Sequence, residues 1–170
     1  MSERQSLREF QTRLAERLKG VSAEPGEAAK LGFVAAGRHW LTGLDQVNEM
    51  VSVASFSKAP WVRPWFLGAV GVRGLIYGCT DLGAYLGLSE AVPREDNRLI
   101  LAHARFGAHA ALRIEQALGL RNTATMRAVP PEGEPLAWRI GCFEDADGVL
   151  WTEISIENLL ASPDFLLVSA

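Results

Sequence analysis

From Leu31 to Ile154 the chain is cut into short apolar runs closed by glycine, proline or acidic turn signals, and this punctuation constrains the fold more than any other feature. Leu31 to Ala36 and His39 to Val51 read as a hairpin about Ala36-Gly37-Arg38, its second strand irregular at Gly43. Val51 to Lys58 continues in β-branched and small residues, and Ala59 to Pro64 is a proline-marked crossover. Gly68 to Arg73 and Leu75 to Thr80 form two strands with Gly74 at the corner, and Asp81 is placed to cap a brief helix, Leu82 to Leu86, that stops at Gly87. Further on, Arg98 to Arg105 and Ala108 to Ala117 flank the hairpin signal Phe106-Gly107, and Thr123 to Val129 reads as a further strand. Leu136 to Phe143 pairs with Val149 to Ile154 across Glu144-Asp145-Ala146-Asp147-Gly148, and Ile156 to Leu160 is a closing helical turn. Many short strands between regular turn signals mean a β-barrel or sandwich, not an α/β sheet.

The first residues follow a different period. Leu7, Phe10, Leu14 and Leu18 fall on one stripe at helical spacing, with charged residues over much of the rest, and the linker Val21 to Glu27 follows Gly20. An amphipathic helix must bury its stripe, either on its own chain or on a partner. The beginning of the chain is charged, so no signal peptide is expected, and no apolar run approaches the ~18 residues that span a membrane. A net charge of −3 without a basic patch argues against a nucleic-acid surface.

Catalytic and metal-binding patterns are sparse. The two cysteines, Cys79 and Cys142, are far apart in strand-like runs and read as buried free thiols in a reducing, cytoplasmic compartment. His103 and His109 flank one turn with no cysteine or carboxylate at matching spacing, and the Asp145-x-Asp147-Gly148 stretch lacks the further ligands of a calcium loop, so it reads as a solvated turn. No nucleotide-binding glycine loop, serine elbow or zinc-protease motif occurs, so no catalytic residue, metal or cofactor is assigned. Trp138 and Trp151 read as packed between layers, whereas Trp61 and Trp65, in the crossover, fit either core or interface.

One cation stands out. Arg73 lies in the apolar run Pro64-Trp65-x-x-Gly68-x-Val70-x-Val72-Arg73-Gly74, followed by Asp81-Leu82. It needs an internal partner, Glu49 or Asp81, or it marks a docking point for another protein; the two are compatible.

That run, with Val47-Asn48-Glu49-Met50 upstream, resembles the hallmark of CheW-like domains over roughly residues 30–160. These are adaptors that couple chemoreceptors to a CheA-type histidine kinase. The resemblance implies an all-β fold with minor helices: two intertwined five-stranded SH3-like barrels, here preceded by the N-terminal helix. It divides the chain into helix and linker (1–29), the CheW-like domain (30–160) and a C-terminal tail (161–170). The helix and long linker are similar to those of PilI-type adaptors of type IV pilus twitching motility. The expected function is non-enzymatic, with a CheA-type kinase and the cytoplasmic tip of a methyl-accepting chemoreceptor as partners and with no nucleic acid or membrane insertion. Val47, Glu49, Gly68, Val72, Arg73 and Gly74 match the family's partner-binding positions. Gly71 stands where the family usually has Asn, and Tyr77-Gly78-Cys79-Thr80 where it often has a Val-Pro-Ile-like stretch. The alternative is a β-barrel scaffolding or ligand-binding domain that self-associates through its N-terminal helix without a kinase.

Overall fold

The structure, a computed structural model, describes residues 28–170. The amphipathic helix expected before residue 20 and its linker lie outside the described residues.

The chain opens in one sheet, builds the whole of a second, and returns to the first. β1 (Ala29–Ala35) and β2 (Arg38–Gly43) form a hairpin in the first sheet. A one-turn 3-10 segment, Leu44–Gln46, carries the chain across. Then come β3 (Val47–Val53), β4 (Phe66–Val72), β5 (Leu75–Asp81), β6 (Asn97–Ala102) and β7 (Ala110–Ile114), arranged β3-β6-β7-β5-β4. β8 (Gln116–Asn122), β9 (Arg127–Ala128), β10 (Arg139–Glu144) and β11 (Leu150–Ile154) complete the first sheet in the order β8-β1-β2-β11-β10-β9. Two parallel pairings, β2 with β11 and β5 with β7, lock sequence-distant strands together. This is the intertwined, mostly β architecture that the resemblance implies, with β9 adding a two-residue sixth strand to one sheet.

Local sequence explains most elements. The Asp81 carboxylate accepts from the Ala84 amide at 2.8 Å and caps α1 (Leu82–Tyr85). Ser155 does the same through Asn158 for α2 (Ile156–Ala161), and Pro163 opens α3 (Pro163–Leu166) at a position that needs no amide donor. Three expected strands are divided. The run 39–51 breaks at Gly43, where a Cβ would lie 2.5 Å from an Asp45 carboxylate oxygen, and its halves enter different sheets. The run 108–117 divides at Glu115 between β7 and β8, and 123–129 yields a 3-10 turn and short β9. Alternation marks each run as extended but carries no record of which neighbour it will join.

Two apolar clusters hold the sheets. Phe33, Trp40, Ile100, Leu112, Ile154 and Leu159 belong to the larger, between the sheets. The smaller lies within the five-stranded sheet's own curl: Tyr77, Cys79, Leu99, Leu101 and Ala111, with Val51, Val70 and Val72 around them. Burying each large aliphatic side chain contributes about 1.5–3 kcal/mol, so both faces of the central strands β6 and β7 are committed to core.

The five-stranded sheet closes on itself just beyond β3. Ser57 and Ala69 of β4 exchange backbone hydrogen bonds of 2.8 and 2.9 Å. Gly68 permits this: at φ +121° a Cβ there would sit 2.2 Å from the Ser57 carbonyl oxygen. The C-terminal segment folds back in the same way. Arg63 N donates to the Val168 carbonyl and Ala170 N to that of Trp61, while Phe165 of α3 stacks on Trp65 and meets Tyr85 edge-on.

Candidate partner-binding site

β4 and β5 are joined by the two-residue turn Arg73-Gly74, because Val72 pairs directly with Leu75. Both turn residues have positive φ, +49° and +80°, the twist that matches a tight hairpin to its strands. Glycine adopts it freely, and nothing lies within 4 Å of where a Gly74 Cβ would be, so turn geometry accounts for that residue. Arg73 occupies the same region at a cost of about 1–2 kcal/mol. An arginine at such a position is held there by something it does.

Its guanidinium grips Glu49 with both terminal nitrogens. Nη1 donates to Oε2 at 2.6 Å and Nη2 lies 2.6 Å from Oε1, the two-pronged geometry that arginine alone offers a carboxylate. Glu49 is largely covered, at 12% side-chain exposure, whereas Arg73 remains 59% exposed. The corner is therefore an internal bridge that still shows a cation to solvent. Of the two internal partners considered, Glu49 is the one used. Asp81 belongs elsewhere.

The other predicted positions divide around this pair. β3 bulges between Val47 and Glu49, so that Val47 packs on the inter-sheet cluster while Glu49 lies opposite Leu101 of the barrel interior. The two share a strand but not a face. Val72 points into the barrel cluster, and Gly68 is buried beneath Ser57. What is exposed beside Arg73 is Leu75 and, at 71%, Ile76, which pairs across the hairpin with Gly71. No side chain shields Ile76 from that quarter, since Gly71 stands there and its Cβ position is open. The sequence signal was alternation: with Tyr77 and Cys79 inside, Ile76 must face out.

Sequence reasoning also missed the partner of Asp81. Arg113, with 2% of its side chain exposed, donates from Nε to Asp81 Oδ2 at 2.8 Å and from Nη1 to Asn97 Oδ1 at 3.0 Å. Asn97 in turn donates to the carbonyls of Val53, Ala54 and Arg94. Asp81 thus caps α1 with one oxygen and neutralises Arg113 with the other. The network binds β5, β6, β7 and the end of β3 behind the exposed corner.

Elsewhere the chemistry is structural. Among the described residues no group of histidine, cysteine, aspartate and glutamate side chains is arranged to hold a metal ion. His103 Nδ1 accepts from the Arg105 amide, and His109 lies against Tyr77. Asp145 organises its turn, accepting from the Trp151 indole and from the amides of Val149 and Asp147. These hydrogen bonds, that of Trp151 foremost, hold its carboxyl below the usual range. Cys79 is fully buried, and burial pushes its thiol up to about 12; Cys142 is half-buried. Trp138 and Trp151 are buried as expected, whereas Trp61 is 87% exposed. Among the described residues no helix is long and apolar enough to cross a membrane.

Comparison with known proteins agrees with this architecture. The structure is similar to the crystal structure of scaffolding protein TtCheW from Thermoanaerobacter tengcongensis, with a TM-score of 0.66 at 20% identity over 81% of this chain and 94% of that one. In sequence, the chain is 26% identical over 92 residues to Protein PilI of Pseudomonas aeruginosa. That match covers 54% of this chain and 51% of PilI, so the chain spans about half the length of that relative. The family model for the CheW-like domain matches residues 30–164, and the chain belongs to the CheW-like domain family.

Proposed function

We propose that this protein is a non-enzymatic, cytoplasmic chemosensory adaptor that couples a chemoreceptor to a CheA-type histidine kinase. The Arg73-Gly74 turn is the centre of its kinase-facing surface. The observation that carries this reading is an arginine kept in an unfavourable backbone conformation, oriented by a largely covered glutamate and still open to solvent. A guanidinium so fixed loses little further entropy when a partner carboxylate or carbonyl arrives. Leu75 and Ile76 supply apolar area beside it, and Glu49 sets its direction. Val47, Gly68, Val72 and Gly74 act through the backbone shape of the two strand ends. The receptor tip is assigned to the groove between the two sheets, so that receptor state biases kinase activity through a shared bridge. Contacts of this kind are small, and repetition in an array strengthens them by multivalency. We read the output as type IV pilus twitching motility, a reading in keeping with the resemblance to PilI-type adaptors and the partial similarity to PilI.

The test is capture of the regulatory domain of a CheA-type kinase, and separately of a chemoreceptor's cytoplasmic hairpin, from the same organism. Arg73→Glu should fold normally and lose kinase capture by at least about tenfold, the scale of a 1.4 kcal/mol contact. Wild-type capture of both partners by the folded variant would remove Arg73 from the site.

A further inference from the structure

Trp61 is the most exposed large apolar side chain among the described residues, at 87%, and its φ of +56° is one that bulky residues seldom adopt. It does not sit on a loose loop. Its carbonyl accepts from the Ala170 amide at 2.9 Å, and the neighbouring Arg63 amide donates to the Val168 carbonyl at 2.8 Å. Pro60 and Pro64 bracket the segment. Leu166 and Leu167 immediately precede Val168 on the C-terminal segment and are 57% and 55% exposed. The three side chains leave roughly 400 Å² of apolar surface open, within the range of the largest patch on a monomer, which is often functional.

The pairing of the two segments is antiparallel, Val62 opposite Ser169, and this fixes the order of the side chains. Lys58 and then Trp61 come from one end of the ribbon, Asp164 and then Leu167 from the other. Lys58, Arg63 and Asp164 are exposed, and none of them is in an ion pair among the described residues. A cation and an aromatic at one end thus answer an anion and a leucine at the other.

We infer that this ribbon is a contact between two copies of the chain, related by a twofold axis near Val62. Such a contact requires a surface complementary to itself, and the ribbon supplies one. The axis sets Lys58 of each copy against Asp164 of the other and lays Trp61 on the facing Leu167. Arg63, close to the axis, comes within reach of the facing indole, a cation–π arrangement. The backbone that holds Trp61 is already ordered, so little freedom is lost on contact, and a central tryptophan is the usual energetic anchor of a small interface. With its rim the patch reaches at most about 800 Å² per copy, so the dimer is weak, with a dissociation constant on the order of 10–100 µM. Arg73 follows the opposite end of β4 and stays open in the dimer.

Sedimentation velocity of the full chain from about 5 to 500 µM, a range that brackets this affinity, tests the proposal. The wild type should approach twice the monomer mass at the upper end, and Trp61→Ser should weaken association at least about tenfold. Lys58→Glu and Asp164→Lys should each weaken it about threefold or more, and the two exchanges combined should recover it, because the charges then face each other in reverse. All three side chains are exposed, and unchanged urea midpoints confirm that each variant keeps the fold. A chain that stays monomeric throughout would overturn the proposal, and loss of chemoreceptor-hairpin capture in Trp61→Ser would then give the ribbon to that partner. Association undiminished by Trp61→Ser would also overturn it, placing the contact elsewhere. A combined exchange no better than either single one would overturn the twofold pairing.

Discussion

Arg73 and Glu49 stand on opposite margins of the five-stranded sheet, on the β4–β5 turn and on β3, yet they meet in a two-point ion pair of 2.6 Å contacts. The pair exists because the sheet curls until its margins approach, a closure made by Ser57 on the backbone of Ala69 beside Gly68. The cationic corner is thus a property of the closed barrel.

Stability and binding should separate at this corner. The pair is half open to water, and exposed pairs contribute about 0–1 kcal/mol. The left-handed conformation of Arg73 costs about 1–2 kcal/mol, which glycine would relieve. Arg73→Gly is therefore expected to unfold at the same or a higher urea concentration than wild type, while kinase capture falls. A marked drop in the urea midpoint would show that the residue is retained for the fold.

Gly68 and Gly71 should respond oppositely to side chains. Gly68→Ala places a methyl 2.2 Å from the Ser57 carbonyl oxygen at a φ of +121°, so the barrel must open locally. A loss above about 2 kcal/mol is expected by thermal or urea unfolding. Gly71→Asn restores the family's usual residue into open space and should change stability by less than about 0.5 kcal/mol. Its effect is expected on partner capture, because the new side chain stands opposite the exposed Ile76.

The buried network predicts a third pattern. Arg113→Met leaves the Asp81 carboxylate without its cation in a covered site, which costs about 3–5 kcal/mol. Asp81→Asn in the same chain should recover part of that loss, since the amide oxygen can still cap α1 and no charge remains unpaired. Equilibrium unfolding of the two single variants and the double variant measures the coupling; strict additivity would mean that the two side chains act independently.

A pH dependence follows from Asp145. Its folded carboxyl is held low by the Trp151 indole and the Val149 and Asp147 amides, so above the unfolded aspartate value near 3.9 the folded state is favoured. As pH falls below that value the unfolded chain takes up a proton first, and the contribution is lost as pH drops through the folded value. Asp145→Asn should flatten the acid limb of the stability curve while leaving the limb above neutral pH unchanged. An acid limb as steep as that of wild type would assign the dependence to other carboxylates.

Much of the local structure was legible in the chain. The Gly74 corner, the Asp81 cap, the hairpin around Phe106-Gly107 and the Asp145 turn each rest on a few adjacent residues whose backbone preferences are strong. Arg73 is legible on a different ground, as a lone cation in an apolar run. The two-barrel arrangement was accessible only through family resemblance, and the partners within it were not legible at all. Arg113 meets Asp81 across a parallel pairing, and Val47 parts from Glu49 at a bulge that no composition signals.

The chain alone determined where strands begin and end and which residues turn or cap, because those preferences are set by neighbours along the backbone. Only the tertiary structure decided that β2 and β3 enter different sheets, that the margins of one sheet close at Gly68, and that Arg73 takes Glu49 while Asp81 takes Arg113. Those outcomes depend on which distant segments bury apolar area together, and a hydrogen bond or ion pair then forms between whatever polar groups that burial leaves in reach.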